Sequence, residues 1–477
     1  MRMFPSLRYT AVMRTTADLR RTVSRLRKDF EGRLAELVDI PSVSVEPERK
    51  ADVLRCADMA AGFLRDVGGT VQIAPTKGYP MVVGKLGADP SLPTVSIYNH
   101  LDVQPADPSE WKTSPFKFSR KGERYFGRGT TDDKGPALAA LLGARLAIQD
   151  GAPINIQFLW ENEEEIGSPN FEQGLSVLAR GKKGKKGMKG FATDSVAVSD
   201  TIWISKDRPA LPVGLRGLCG LTVKLSTGAK DVHSGTTGGA ARNPLTELAA
   251  LVADCVEART GKIKIPGFYD DVKPLSVREQ KSIAQAGFSR RTFMAAHELT
   301  SVRFSKDADL CRAIMARPTF EVHGLTGGYR GPGIKTIVPA RGELKLSMRL
   351  VPDQDPRTIF AKVRAFILKR IPDAVVEAEG LMQPYLGDLD GRELQAAARA
   401  VTETFGRPPA MVREGGSIGA VLTMRKLLRA PVVLMGLSLP EHGYHAPNEN
   451  FDWTQASGGI EMFYRYFWDL ARAGAQR

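Results

Sequence analysis

The amino-acid sequence predicts an α/β protein interrupted by a smaller α+β domain. With 477 residues, the chain is longer than one hydrophobic core usually serves. Strand-like and helix-like runs alternate in residues 1–213 and again in residues 386–477, which is typical of a mixed, mostly parallel sheet between helices. Residues 214–385 differ, because their strands alternate with period two. We therefore predict a larger domain built from both ends of the chain and an inserted domain between them.

The first part of the larger domain reads as helices followed by strands. Residues 18 to 70 predict two amphipathic helices around a turn, and VQIAP, MVVGKLG and TVSIYNH predict short strands. Residues 137 to 149 predict a helix of small and aliphatic side chains. INIQFLW predicts the next strand, and TIWIS, residues 201 to 205, predicts another.

The inserted domain reads as strands and two helices. GLTVKLSTG, TFEVHGLTGG and GELKLSMRLVP predict mostly antiparallel strands, separated by the helical stretches NPLTELAALVADCVEA and DPRTIFAKVRAFILKRI. The α/β pattern then returns with RELQAAARAVTETFG as a helix, PAMVRE and APVVLMG as strands, and a closing helix over residues 454 to 473.

Composition excludes several classes of protein. Hydrophobic residues make up 42% and charged residues 25%, as in soluble globular proteins. No run approaches the ~18–20 apolar residues of a membrane span, so we predict no membrane association. The cysteines lie far apart, which favours a reducing cytoplasm over a disulfide framework and argues against a cysteine zinc site. They are Cys56, Cys219, Cys255 and Cys311.

The formal net charge of +14 raises the alternative of a nucleic-acid partner. Basic residues cluster in the N-terminal arm and in ARGKKGKKGMKG, residues 179 to 190. We interpret the first as a surface arm leading into an amphipathic helix, with an organellar transit peptide as the alternative. We interpret the second as a solvated insertion. Neither carries a nucleic-acid-binding motif, so we predict no nucleic-acid partner.

Polar motifs follow the predicted strands of the larger domain. YNHLDV ends a strand with His100 and Asp102, which period two places on one face. GRGTTDDKGP places Asp132 and Asp133 just before a helix, and ENEEEIGSP follows INIQFLW. Taken singly, these motifs could be a surface histidine beside a turn, a helix N-cap and a solvated acidic loop.

Two further motifs complete a possible metal site. Asp200 precedes TIWIS, and PEHGYHAPNEN carries His442 and His445 near the end of the chain. Histidine and carboxylate ligands without thiolate suit zinc, manganese or cobalt. So many ligands exceed the needs of one structural zinc and fit two metals that share a carboxylate.

The order of these motifs resembles the di-metal peptidase and deacylase family that contains cytosolic non-specific dipeptidase, carnosinase, succinyl-diaminopimelate desuccinylase and acetylornithine deacetylase. The resemblance runs from about residue 30 to the end and is carried by HLD, GRGTTDDKGP, EEIGS and HAPNE. DDKGP, KDVHSG, SMRLVP and REGGSIG are most similar to the dipeptidase branch. The family often has Gly or Ala where this chain has Asn99.

The resemblance implies two divalent metal ions, zinc or manganese, with cobalt possible. One ion would be held by His100 and Asp200. The other would be held by Glu165 and His445. Asp132 would bridge the two ions, with a cis peptide bond to the next residue.

The resemblance also implies catalytic roles and an assembly. Asp102 would orient the histidine before it, and Glu164 would be the general base and acid. Glu161 and Glu163 are left as solvated or supporting residues. The inserted domain would be a ferredoxin-like lid and dimerisation domain, and His233 would reach the active site of the partner subunit in a homodimer.

The remaining implied residues bind substrate. Arg349 would bind the substrate carboxylate, with Thr336 and Ser417 as further carboxylate-binding positions. The implied function is hydrolysis of dipeptides or short peptides with a free C-terminal carboxylate, by a bridging metal-bound water with Glu164 as general base. The alternative is an N-acyl-amino-acid deacylase or desuccinylase with the same site. A metal-free binding protein on the same fold is an alternative from another class.

Overall fold

The structure is a computed structural model that describes residues 12–180 and 191–474. The N-terminal arm up to residue 11 and the Lys/Gly insertion at 181–190 lie outside the described residues, and both interpretations stay predictions.

The helices are α1 Thr16–Arg25, α2 Arg27–Val38, α3 Lys50–Asp66, α4 Lys134–Gln149, α5 Phe171–Arg180, α6 Ser234–Thr237, α7 Pro244–Cys255, α8 Val277–Ala284, α9 Arg290–Ala296, α10 Asp307–Ala316, α11 Pro356–Arg370, α12 Arg392–Phe405, α13 Gly419–Leu428 and α14 Trp453–Gly474. The strands are β1 Thr70–Ala74, β2 Met81–Leu86, β3 Thr94–His100, β4 Ser119–Lys121, β5 Arg124–Phe126, β6 Asn155–Glu161, β7 Ser195–Val198, β8 Ala210–Leu215, β9 Gly217–Ser226, β10 Val232–His233, β11 Glu321–Gly327, β12 Ile337–Val338, β13 Arg341–Leu350, β14 Val375–Met382, β15 Tyr385–Leu386, β16 Ala410–Glu414, β17 Val432–Leu434 and β18 Asn450–Asp452.

A mixed, mostly parallel sheet forms the centre of the larger domain, as predicted. Its strand order is β1-β2-β6-β3-β7-β17. Strands β6, β3, β7 and β17 pair in parallel, whereas β1 and β2 join antiparallel at one side. Because parallel strands end at the same edge, the carboxyl ends of β3, β6 and β7 lie together, and that edge is where ligands bind in open α/β sheets.

Helices α4 and α14 pack closely against each other beside this sheet. The small residues of α4 permit this approach, since a Cβ atom at Gly143 would lie 2.8 Å from the carbonyl oxygen of Ile460. The whole first half of α4 is buried, including Lys134. The Lys134 ammonium group donates to the carbonyl oxygens of Leu37 and Ile40 at 2.9 and 3.1 Å, which ties the start of α4 to the segment after α2.

The inserted domain has a four-stranded antiparallel sheet in the order β11-β13-β9-β14. Strands β9, β11, β13 and β14 with helices α7 and α11 follow the β-α-β-β-α-β order, so the ferredoxin-like prediction is confirmed. The two helices bury Leu248, Leu251, Ile359 and Val363 in one core with the sheet. This sheet is separate from the central sheet of the larger domain.

The chain passes between the two parts through β8 and β15, which pair with each other. We propose the division at residues 213/214 and 385/386 because both crossing points lie in this one strand pair. Helices α8 and α10 belong to the inserted segment by sequence. Even so, their side chains Ile283 and Cys311 share a core with Ala210 and Val412 of β8 and β16.

The strand predicted at residues 201 to 205 is wrong. The edge strand is β7, which ends before Asp200, and the following segment makes only single bridges such as Ile202 with Ser438. Its apolar run resembles a strand because Trp203 is buried in a loop, where its indole N–H donates to the carbonyl oxygen of Gly436 at 2.8 Å. Asp200 therefore follows a strand instead of preceding one.

Candidate active site

The predicted metal ligands meet at the carboxyl edge of the central sheet. His100 is the last residue of β3, and Glu164 and Glu165 lie in a single 3-10 turn after β6. Asp200 follows β7, and Asp132 precedes α4. Parallel pairing brings these segments together although they are far apart in sequence.

His100 is fully buried and contacts carboxylates through both ring nitrogens. Its Nε2 lies 2.9 Å from Asp132 Oδ1 and 3.9 Å from Asp200 Oδ2. Its Nδ1 lies 3.0 Å from the carbonyl oxygen of Asp102 and 3.5 Å from Asp102 Oδ1. Asp102 therefore holds the ring so that Nε2 points into the carboxylate cluster.

The two carboxylate oxygens of Asp132 face two imidazoles. Oδ1 faces His100, and Oδ2 lies 3.0 Å from Nε2 of His445. The Oδ2 atom is buried and accepts no hydrogen bond from the described residues. The peptide bond between Asp132 and Asp133 is cis, as predicted.

Two groups of side chains could each hold a cation. One potential ligand atom each from His100, Asp132 and Glu165 lie within 4.8 Å of one another, as do atoms of His100, Glu164 and Asp200. Burial raises the pKa of Glu164 well above its usual value, and the negative charges of Asp200 and Glu165 add to this increase. A buried cluster of carboxylates beside two imidazole rings suits a divalent cation, so the donor set fits the metal ions that the sequence predicts.

Asp102 also fixes the acidic turn. Its carboxylate accepts hydrogen bonds from the backbone N–H groups of Glu164 and Glu165 at 3.2 and 3.1 Å. It accepts a further bond from the hydroxyl of Ser44 at 2.7 Å. One buried carboxylate thus positions both the histidine and the two glutamates.

Glu449 supports the loop before Asp132 and was missed by the sequence analysis. Its carboxylate accepts bonds from the backbone N–H groups of Gly129, Thr131 and Asp132 at 2.9, 2.9 and 3.1 Å, and from Arg128 at 2.9 Å. It lies within the HAPNE motif, so that motif was the available signal.

Two further supporting residues carried no signal in the sequence pattern. The Tyr444 hydroxyl donates to Asp200 at 2.5 Å. The Gln104 amide donates to Glu165 at 2.7 Å. Both bonds restrain carboxylates that belong to the candidate metal site.

The other two glutamates of the acidic run are buried, so the solvated interpretation of them is wrong. Glu161 accepts a 2.6 Å bond from the hydroxyl of Tyr98, and burial raises its pKa to about 8. Glu163 accepts bonds from the backbone N–H of Tyr79 at 3.1 Å and from the amide of Asn170 at 3.0 Å. These residues support the strand end and the turn.

The two late histidines have different surroundings. His445 Nε2 lies 3.0 Å from Asp132 and 3.3 Å from Glu165, and its side chain is 56% exposed. His442 is fully buried and contacts Asp452 at 3.2 Å and the hydroxyl of Thr131 at 3.1 Å. Only His445 therefore faces the carboxylate cluster.

Asn99 has a structural partner at the site. Its side-chain amide donates to Asp133 Oδ2 at 2.7 Å, and both residues are fully buried. Asp133 therefore has a partner of its own, next to Asp132.

Two of the predicted substrate residues lie together. The Arg349 guanidinium donates to the Ser417 hydroxyl at 2.9 Å, and that hydroxyl donates to the carbonyl oxygen of Arg216. Burial and the neighbouring charge of Arg349 lower the pKa of Arg216 to about 10. Two guanidinium groups without a carboxylate partner among the described residues form a site that attracts an anion.

His233 and Thr336 lie apart from the carboxylate cluster. They occupy the β10–β12 ribbon, where the backbone N–H of Ser234 donates to the Thr336 carbonyl at 3.0 Å. Both side chains are exposed, and neither bonds to the cluster within the described residues. His233 Nδ1 accepts a bond from the backbone N–H of Gly235 at 3.0 Å, which places the proton of the neutral ring on Nε2.

The fold and the site define a hydrolase of the metallopeptidase class. Residues 96–469 match the family model described as Peptidase family M20/M25/M40, and the chain belongs to this family. Within the described residues, no helix is both long and apolar enough to cross a membrane.

The relatives are dipeptidases. The chain is 31% identical to the Beta-Ala-His dipeptidase of Rattus norvegicus over 469 residues, which cover 93% of each chain. It is 31% identical to the Cys-Gly metallodipeptidase dug1 of Schizosaccharomyces pombe over 474 residues, covering 94% of this chain and 97% of that protein. The crystal structure of human carnosine dipeptidase 1 has a TM-score of 0.85 at 28% identity, with 96% of this chain and 98% of that chain covered. The resemblance to the dipeptidase branch is therefore confirmed.

Proposed function

We propose that this peptidase hydrolyses dipeptides, or short peptides with a free C-terminal carboxylate, with two divalent metal ions. The observation that carries the proposal is Asp132, whose two oxygens face His100 on one side and His445 on the other. A carboxylate between two nitrogen ligands is what a shared metal bridge needs. The N-acyl-amino-acid deacylase alternative is not favoured, because the relatives that match along the chain are dipeptidases.

The proposed metal ligands divide around that bridge. His100 and Asp200 would hold one ion, and Glu165 and His445 the other. Divalent ions there would act as Lewis acids and lower the pKa of a coordinated water. Zinc or manganese are proposed for the oxygen and nitrogen ligands, with cobalt also suited to them.

Glu164 is the proposed general base. Its backbone is held by Asp102, and its carboxyl group lies in the group formed with His100 and Asp200. It takes a proton from the attacking water and passes the proton to the leaving amine. The environment that raises its pKa stabilises the protonated carboxyl group that exists between the two transfers.

The substrate carboxylate is proposed to bind at the inserted domain. Arg349 supplies a planar guanidinium, Ser417 a hydroxyl, and the neighbouring Arg216 adds positive charge. Thr336 is proposed as a further carboxylate contact. This end selects substrates that carry a free C-terminus.

A homodimer is proposed to complete the site. His233 is exposed, and its Nε2–H is free of described partners, so the imidazole can donate to an oxyanion presented by another subunit. The proposed partner site is the carboxylate cluster of the second copy. We also propose a cytoplasmic location, because all four cysteines are free and buried.

The test is release of free amino acids from a panel of dipeptides and N-acyl amino acids. Metal-free protein is reconstituted separately with zinc, manganese and cobalt. Metal-dependent cleavage of dipeptides is expected. Cleavage of N-acyl amino acids alone would contradict the dipeptidase proposal, and so would the absence of cleavage in protein that has bound metal.

A further inference from the structure

Glu414 is a carboxylate beside the active site that has no part in the proposed mechanism. It is the last residue of β16, within REGGSIG. Its Oε2 atom is buried and accepts no hydrogen bond from the described residues. A buried carboxylate oxygen without a partner is costly, so the Oε2 atom favours a cationic group that binds there.

The surroundings of Glu414 place it on the Asp200 side of the site. The backbone N–H of Ile202, two residues after Asp200, interacts with the Glu414 carboxyl. Burial raises the pKa of Glu414 well above its usual value, and the negative charges of Asp200 and Asp132 add to the increase. A cation bound here would therefore feel several carboxylates at once.

A metal ion is not the cation that this position requires. Neither group of potential ligand atoms found in the described residues includes Glu414. The proposed ions also have nitrogen and carboxylate ligands elsewhere, on both sides of Asp132. An ammonium group is the remaining cationic part of a peptide with a free N-terminus.

The separation of Glu414 and Ser417 along the chain allows both to contact one dipeptide. Ser417 lies three residues further along the same loop and contacts Arg349 of the anion-binding end. Three residues span at most about 10 Å, and two extended residues span about 7 Å. Gly415 and Gly416 separate the two side chains, and a Cβ atom at Gly416 would still lie 4.0 Å from Glu414 Oε1, which leaves room beside the carboxyl.

We propose that Glu414 binds the free ammonium group of the substrate, while Arg349 and Ser417 bind its carboxylate. One short loop then selects dipeptides by both ends. This inference rests on the proposed dipeptidase function and goes further, because it names the group that distinguishes a dipeptide from an N-acyl amino acid.

The experiment compares alanyl-leucine with propionyl-leucine, which differ only in the amine. Both are assayed with the metal-loaded wild type and with Glu414→Gln, and metal content and thermal unfolding are measured for each protein. The exposed Glu441→Gln is the matched control for the change in charge. Where cleavage of propionyl-leucine is too slow, its inhibition constant against alanyl-leucine replaces the rate.

The expected result is selective. Glu414→Gln should lower kcat/KM for alanyl-leucine by about 10- to 100-fold, as expected for loss of a hydrogen bond between charged groups, and leave propionyl-leucine within about 3-fold of the wild type. Glu414→Asp should recover part of the loss, because it keeps the charge. Equal losses on both substrates, or none on either, would overturn the role of Glu414.

The same data separate the two proposals. Wild-type cleavage of alanyl-leucine supports the dipeptidase function whatever the variant does. If the wild type with bound metal cleaves neither compound, the dipeptidase function fails, and the role of Glu414 fails with it.

Discussion

The carboxylate cluster and the His233 ribbon of the inserted domain differ in how completely this one chain builds them. Around the cluster, Asp102 and Glu449 are fully buried and hold the turn and the loop that carry the candidate ligands. The His233 ribbon is exposed, and within the part of the chain that the structure describes only a local bond to Gly235 fixes the ring. The difference indicates that one chain prearranges the candidate metal site, whereas the proposed role of His233 as an oxyanion donor requires another subunit or domain closure.

The largest effect is expected from a substitution in the carboxylate cluster itself. Glu164→Gln should lower kcat by about 10²- to 10⁴-fold, the usual contribution of a general base. Metal content should stay at the wild-type value, because the amide retains an oxygen and the proposed ligands remain. Steady-state kinetics with metal analysis checks both.

Glu163→Gln is the matched control in the same acidic run. Its amide can still accept the bonds from Tyr79 and Asn170, so kcat should stay close to that of the wild type. The free energy of unfolding should fall by about 1–3 kcal/mol, since a charged acceptor is lost. Wild-type kcat in Glu164→Gln would contradict Glu164 as the general base. A large loss of kcat in Glu163→Gln alone would assign that role to Glu163 instead.

Removing the imidazole that is proposed as the oxyanion donor tests the His233 ribbon. His233→Ala should lower kcat by about 10²- to 10³-fold, the effect of losing one such donor, in a correctly folded dimer. His323→Ala, which removes another exposed histidine of the same domain, should have little effect.

Mixed dimers test whether His233 acts in the site of the partner subunit. Combining His233→Ala with Glu164→Gln should restore part of the activity, because one of the two sites then has an intact base and an intact donor. No recovery after verified exchange of subunits would argue that His233 acts within its own chain.

Arg349→Lys should have a smaller effect, on substrate binding. A lysine keeps the charge but loses the planar fork, so KM should rise by about 10-fold with a smaller change in kcat. Arg341→Lys on the exposed part of the same strand is the control. An unchanged KM would remove Arg349 from the carboxylate site.

The smallest expected effect is on stability. A metal present at 100 times its dissociation constant should stabilise the fold by about 2.7 kcal/mol, because it binds the native state. Differential scanning calorimetry with and without manganese measures this. An unfolding temperature that does not respond to metal would contradict binding at the buried cluster.

The sequence predicted the fold and the candidate ligands because both follow local patterns. Strands such as INIQFLW and TVSIYNH are apolar runs, and a polar residue after each marks the edge of the sheet. TIWIS was misassigned because three adjacent apolar residues around the buried Trp203 resemble a short buried strand. A short apolar run indicates side-chain burial and not the pairing that makes a strand.

The contacts of the supporting residues could not be predicted from periodicity, although the HAPNE motif contains Glu449. Glu449 lies 318 residues from Thr131, which it holds, and no local periodicity records such a contact. The buried state of Glu161 and Glu163 was missed for a related reason. Acidic runs are usually solvated, and only the fold supplies the donors that allow these two to be buried.

Titration of metal-free protein with manganese, followed by hydrolysis of alanyl-leucine, tests the central claim most directly. A shared carboxylate between two ions predicts no hydrolysis without metal and a plateau at about two equivalents per chain. Full hydrolysis by the metal-free protein would contradict the account, and a plateau at one equivalent would contradict the bridging role of Asp132.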